Sequence, residues 1–207
     1  MKSKKIFVPF FFILLGSYFH VTAQTLKLNN GITFSSFSNS KKFDVLEQKI
    51  KSYSVNIGLD YWNRKQFYIS SEVGYIKIGG YEKNPNLSEE LSEIEETWDF
   101  IHFNSTLRLK LFSNVDHHLF IGAGPKMDLL VSDASFKSEV YSSYYEMEKF
   151  SFGAKTEIGL VRDLERIRLG LNASYLLDIG KKVNSGPVNL KNEIYQIMFS
   201  IGYTLGN

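Results

Sequence analysis

Three groups of side chains in this sequence have types that could do chemistry: a few histidines, a run of carboxylates, and charges recurring at every second position. After the N-terminal region the histidines are His102, His117 and His118. Asp116-His117-His118 offers metal-ligand types, but adjacent residues on a strand point to opposite faces and do not share one ion. A solvated turn is the simpler expectation there. His102 falls on the inner parity of a strand near its outer rim, where Asp99 or a loop carboxylate could orient it as a general base. It is the one residue on which an enzymatic reading, a lipid-modifying enzyme or a protease, would rest. No serine or acidic set accompanies it, so an interior hydrogen bond is expected and no catalytic, cofactor-binding or metal site is assigned.

The carboxylates gather between Tyr81 and Asp99, where Glu82, Glu89, Glu90, Glu93, Glu95, Glu96 and Asp99 face Lys83 alone. Asn86 followed by Glu89 reads as a helix start, and Leu87, Leu91 and Ile94 would share one face of a short amphipathic helix over a barrel mouth. Such a segment could hold divalent cations against anionic lipopolysaccharide or dock a basic partner, although a solvated acidic loop explains it as well. A tyrosine cluster, Tyr141, Tyr144 and Tyr145, is amphipathic in the way binding surfaces are. Lys41, Lys42, Lys49, Lys51, Lys181, Lys182 and Lys191 make two other connections basic and able to meet lipid phosphates. Glu89, Glu90, Glu93, Glu95, Glu96, Tyr141, Tyr144 and Tyr145 are therefore the candidate contacts for an external partner or cation.

These groups must be positioned by strands. After residue 24 the chain shows eight stretches of two-residue alternation, read as 25–37, 53–62, 67–79, 97–112, 118–131, 149–162, 166–178 and 193–206. In the fifth, Leu119, Ile121, Ala123, Pro125, Met127, Leu129 and Val131 alternate with Phe120, Gly122, Gly124, Lys126 and Asp128. A period of two puts one set on each face of a sheet. One face is apolar over a length that spans a membrane, and the other carries glycine and charge. That inverted pattern predicts an all-β, eight-stranded antiparallel up-and-down transmembrane β-barrel in the outer membrane. Aromatic residues near strand ends (Tyr61, Trp62, Phe67, Tyr68 and Phe112; Tyr53, Tyr75, Trp98 and Phe100) read as two interfacial girdles. A soluble barrel of the same topology would instead keep its glycine-rich face in water.

Connections alternate long and short. Residues 63–66, 113–117 and 163–165 are short, whereas 38–52, 80–96, 132–148 and 179–192 are long. Short turns of such barrels face the periplasm, which puts both termini there.

An eight-stranded barrel is only wide enough for side chains to fill it. The predicted interior charges are Lys27, Asp60, Glu72, Arg108, Lys110, Lys126, Asp128, Lys155, Glu157 and Arg168, with Asp178 as an eleventh. Near balance of sign predicts a closed ion-pair network and a plug in place of a pore. A narrow small-solute channel would need that network to leave a gap.

The first 23 residues read as a cleaved signal peptide: Lys2, Lys4 and Lys5, an apolar run from Ile6 to Phe19, then Val21-Thr22-Ala23. Removing its three lysines leaves 21 basic against 22 acidic residues, so the formal charge passes from +2 to −1. The basic pI thus belongs to the leader and argues for no nucleic-acid partner. With no cysteine there is neither a disulfide framework nor a thiolate site. Residues 24–207 fit one barrel domain.

Phe120 to Leu130 resembles the central gly-ala-gly-pro strand of the PorT-like outer-membrane β-barrel family of Bacteroidota. Glu72 to Gly80, ending in a double glycine, and Phe152-Gly153 through Glu157-Ile158-Gly159 are similar to other strands of that family. Asn104 stands where the family often has proline, and the chain ends Tyr203-Thr204-Leu205-Gly206-Asn207 without the common terminal aromatic. The resemblance implies a barrel and no particular activity. It makes a non-enzymatic subunit of a secretion or envelope complex the specific form of the leading expectation: a structural or interaction component of the cell envelope, meeting outer-membrane lipid, lipopolysaccharide and a protein partner.

Overall fold

The computed structural model describes residues 23–39, 46–83, 93–114, 116–138, 146–179 and 190–205. Most of the leader, together with Lys41, Lys42, Asn86, Leu87, Glu89, Glu90, Leu91, Tyr141, Tyr144, Tyr145, Lys181 and Lys182, lies outside them.

Eight strands follow one another around a ring: β1 (Ala23–Asn39), β2 (Ile50–Tyr61), β3 (Phe67–Lys83), β4 (Glu93–Ser113), β5 (His117–Leu130), β6 (Phe150–Leu164), β7 (Ile167–Asp178) and β8 (Leu190–Thr204). Each pairs antiparallel with its chain neighbours, and β1 pairs with β8 from Thr25–Thr204 to Asn39–Leu190, which closes the barrel. Closure removes the sheet edges that an open apolar sheet would expose. No element among the described residues is a helix.

The alternation sorts the two faces as expected. Outward stand Leu26, Leu28, Ile57, Leu107, Ile158, Leu171, Ile197 and Ile201, each 46–57% exposed. Inward stand the buried Lys27, Asp60, Arg108, Lys126 and Lys155. Two-residue periodicity has this consequence: a strand that puts leucine outside at one position must put its neighbour inside. Three aromatics expected in the girdles are corrected on the same ground. Tyr68, Trp98 and Phe100 are at most 1% exposed, because they share parity with the inward residues of β3 and β4. Trp62, Phe112 and Tyr53 do face outward.

The expected helix over the acidic stretch is not there in its second half. Glu93, Ile94, Glu95 and Glu96 belong to β4 and pair with Lys83, Glu82, Tyr81 and Gly80 of β3. At 21 residues β4 is about twice the length that crosses a bilayer, so β3 and β4 continue the wall well past the apolar belt. Apart from this, the short and long connections fall as the sequence suggested. A two-residue turn, Glu165-Arg166, joins β6 to β7 with Glu165 at φ 52°.

Candidate functional site

Inward residues of β4, followed from the short-turn end to the long-loop end, pass through every layer of the lumen: Arg108, Thr106, Asn104, His102, Phe100, Trp98, Glu96 and Ile94. The lower half is ionic and the upper half is apolar.

Arg108 is the centre of the ionic half. Its guanidinium grips Glu157 with two bonds, Nε to Oε1 at 2.7 Å and Nη2 to Oε2 at 2.9 Å, and gives a third to Glu72 Oε1 at 3.1 Å. A planar fork matched to a carboxylate is the geometry in which arginine bonds most strongly. Phe120 lies under the same group at 4.5 Å. Lys155 bridges Glu72 at 2.8 Å and Glu157 at 3.2 Å, and Lys27 bridges Glu72 at 2.9 Å and Asp60 at 3.0 Å. Arg168 continues the chain, reaching Asp60 at 3.3 Å and Asp163 at 2.6 Å. Four cations and four carboxylates are thus interleaved, each carboxylate touching at least one cation. This is the condition under which buried charge is tolerated.

The glycines among them make space for the long stems. A Cβ at Gly58 would lie 2.9 Å from both Lys27 Cε and Glu72 Cγ, and one at Gly122 would lie 3.0 Å from Arg108 Cγ.

A second cluster sits above the first. Lys126 bonds Asp128 Oδ2 at 2.6 Å and also Asp178, and His102 Nδ1 lies 2.5 Å from Asp128 Oδ1. All four side chains are sealed from solvent. On the β8, β1 and β2 side of this layer the contacts are neutral: Gln196 Nε2 donates to Thr33 Oγ1 at 3.2 Å and to Ser54 Oγ at 3.3 Å.

The sequence foresaw most of these members, with four corrections. Lys110 does not join the network. It is half-buried at the short-turn rim and donates to Asn63 Oδ1 at 2.7 Å, because it lies one inward step beyond Arg108. Asp163, read as part of a turn, is a member through Arg168. His102 is not at the rim and not oriented by Asp99; it lies below Phe100 and pairs with Asp128. Asp99 faces outward, bonded by the Tyr75 hydroxyl at 2.5 Å and 3.6 Å from Lys77. His118 is buried too: its ring meets Tyr68 edge-on at 5.7 Å, while His117 stays exposed. Opposite parity does keep the two histidines apart.

The upper half was not foreseen. Phe37 of β1, Ile76 and Ile78 of β3, Ile94, Trp98 and Phe100 of β4, Leu176 of β7 and Ile194 of β8 converge inside the barrel top. Two loops complete the cluster: Leu46 from the β1–β2 connection, and Phe136 and Met147 from the β5–β6 connection. Phe136 meets Trp98 edge-on at 4.7 Å, and Phe37 meets it from another side at 5.8 Å.

Backbone bonds hold these loops in place. Phe37 N–H donates to Leu46 O at 3.1 Å, and Met147 N–H donates to Ala134 O at 2.9 Å. Leu46 has φ 53°, a conformation that a bulky residue adopts only where its surroundings dictate it. The double glycine of β3 has its reason here: a Cβ on Gly80 would lie 2.8 Å from that of Leu46, and one on Gly79 would lie 2.7 Å from Ile50.

Glu96, expected as an external contact, is 1% exposed and serves this closure. Its carboxylate accepts the backbone N–H groups of Lys137 at 3.0 Å and Ser138 at 2.7 Å. Glu93 and Glu95 remain exposed, Glu93 paired with Lys83 at 2.7 Å. Among the described residues no group of three His, Asp or Glu side chains could hold a metal ion.

Apolar outside, charged and filled inside, closed through β1 and β8, this is an eight-stranded outer-membrane barrel of the small, side-chain-packed kind. Residues 20–183 match the family described as outer membrane protein beta-barrel domain, and the chain belongs to that family. It is integral to the outer membrane. No curated protein matches it. Among solved structures it is similar to Neisserial surface protein A, at 13% identity and a TM-score of 0.55, covering 87% of this chain and 97% of that one. It is also similar to the outer membrane protein AlkL, at 12% identity and a TM-score of 0.53, covering 89% and 91%. Ail, the attachment invasion locus protein of Yersinia pestis, is more distant, at 10% identity and a TM-score of 0.47 over 88% and 100%. Such identities establish the fold and nothing narrower.

Proposed function

We propose that this protein is a non-enzymatic component of the cell envelope whose working surface is its exterior, and specifically a PorT-like subunit of a secretion or envelope complex of Bacteroidota. The observation that carries this reading is the double closure of the lumen. Among the described residues a buried ion-pair network occupies the lower half and an apolar cluster occupies the mouth, and the one cavity along β4, lined by Lys27, Asp60, Arg108 and Arg168, lies within the ionic half. His102, the general-base candidate, is 0% exposed beneath Phe100, out of reach of a substrate at the mouth. The signal peptide delivers the chain across the inner membrane. The short turns and both termini are periplasmic, and the long-loop end, with the exposed Glu93 and Glu95, meets a protein partner and lipopolysaccharide outside the cell.

Orientation and partnership are tested together in intact cells. The protein has no cysteine, so Lys137→Cys and Lys65→Cys each give one clean label site. A membrane-impermeant maleimide should label position 137 and spare position 65; the reverse pattern overturns the orientation. Crosslinking on the same cells, followed by purification from outer membrane, should retain a stoichiometric protein partner. Recovery of the barrel with lipid alone would overturn the subunit reading.

A further inference from the structure

Lysines at the long-loop end differ in their partners, with Lys137 and Lys149 standing apart on the β5–β6 connection. On the β3–β4 side they are neutralised: Lys77 stands 3.6 Å from Asp99, and Lys83 stands 2.7 Å from Glu93. On the closure seam, where β8, β1 and β2 run side by side, Lys49, Lys51 and Lys191 are exposed and make no ion pair among the described residues.

Register puts these three on one outward patch. Phe34 of β1 is flanked by Lys51 of β2 and Tyr195 of β8, and Ser38 of β1 by Lys191 of β8. Lys49 lies two residues beyond Lys51 on the same face. Its Nζ sits 4.4 Å from the centroid of the Tyr195 ring, so its stem must cross β1. Ser36, on the outward parity of β1, is only 4% exposed. The exposed ammonium therefore rests against a ring face. Strands are about 4.8 Å apart and same-face residues about 6.8 Å apart along a strand, so all three ammonium groups can reach one headgroup. Directly below are Tyr53, 51% exposed, Tyr195, 40% exposed, and the apolar belt of Ile57 and Ile197. Amphipathic rings at this height mark the boundary between acyl chains and headgroups. Glu47 and Glu193 are the acidic groups on the same patch, so it keeps a net positive charge.

We propose that Lys49, Lys51 and Lys191, framed by Tyr53 and Tyr195, form a seat for the phosphate of an outer-leaflet lipid A headgroup. The choice of lipid rests on the proposed orientation, since only the outer leaflet carries that phosphorylated glycolipid at this height. The patch supplies cations that have no ion-pair partner among the described residues, and the lipid supplies the anion. Such a ligand would clamp the seam where the first and last strands meet.

The full barrel in phosphatidylcholine nanodiscs, titrated with lipid A and read by native mass spectrometry, tests this without reference to orientation in the cell. The triple variant Lys49→Gln, Lys51→Gln, Lys191→Gln should bind lipid A at least tenfold more weakly than the wild type. Arg64→Gln, Lys65→Gln, Arg162→Gln removes the same charge at the other end and should change binding less than twofold. Equal loss in both variants would show that net charge alone attracts the lipid, and would overturn the seat. Equal retention of phosphate-free lipid A would overturn the phosphate assignment. Binding of phosphatidylglycerol as tight as that of lipid A would overturn the choice of lipid. A failed labelling pattern in cells, with this selectivity intact, would overturn only the orientation.

Discussion

The described side chains fill the lower and upper halves of the lumen with different chemistry. Below, long side chains from seven strands meet as alternating charges, so each member depends on its neighbours for compensation. Above, strand tops and two loops meet as hydrocarbon, so each member contributes its own burial, nearly independently. The ionic layer should therefore fail as a unit, and the apolar mouth should fail by degrees. The first is a feature of the wall, and the second depends on loops folding inward.

The largest expected effect comes from removing one partner of the ionic layer. Arg108→Met leaves Glu157 with Lys155 as its one remaining cation and takes one of three from Glu72, and should destabilise the barrel by about 3 kcal/mol. Urea unfolding in lipid vesicles measures it. Adding Glu157→Gln to that variant should recover part of the loss, because the under-compensated charge is then gone. A double variant less stable than the single one would show that the layer does not behave as a coupled unit.

At the mouth, Trp98→Ala deletes the ring that holds both Phe37 and Phe136, at a cost of about 3 kcal/mol, the lower end for a buried tryptophan because the loops can collapse into the space. The loss should be local, seen as faster proteolysis between residues 131 and 149 with the barrel intact. Global unfolding on that substitution would erase the distinction between the halves.

Glu96→Ala takes the acceptor from two backbone N–H groups and should loosen the same loop by about 1–3 kcal/mol, read by amide exchange at Lys137 and Ser138. The smallest effect is acidic. The Ser135 backbone N–H and hydroxyl hold the exposed Asp133 carboxyl below its ordinary value. A lowered carboxylate stabilises above the ordinary range of about 4 and loses its contribution as pH falls through the folded value. Protection of the Ser135 amide, taken relative to its intrinsic exchange rate at each pH, should therefore be constant down to about pH 4 and fall only below it.

Much of this was legible in the sequence, for a physical reason. Strand parity is local, so Leu107 outside implies Arg108 inside without knowledge of any partner. Nine of the ten predicted network residues are where parity put them, and Lys110 fails only because it sits at the rim, where water solvates it. The apolar mouth was half legible. Trp98 and Phe100 share the parity of His102, but aromatics near strand ends also suit a membrane interface, so parity and composition point to different places. Leu46, Phe136 and Met147 could not be found by periodicity, since loops have none. Their positions follow from tertiary contacts with residues far along the chain. Glu96 looked like part of an acidic surface because composition counts charges without regard to the face they occupy. The pairing of His102 with Asp128 likewise required the β4–β5 register.

The central claim is that the lumen is shut and that the exterior does the work. Electrical recording from the purified wild-type barrel in planar bilayers tests it most directly. Two stacked closures predict a flat trace with no steady unitary steps at any salt concentration. Persistent steps whose size rises with salt would mean that ions pass both layers, and would contradict the account.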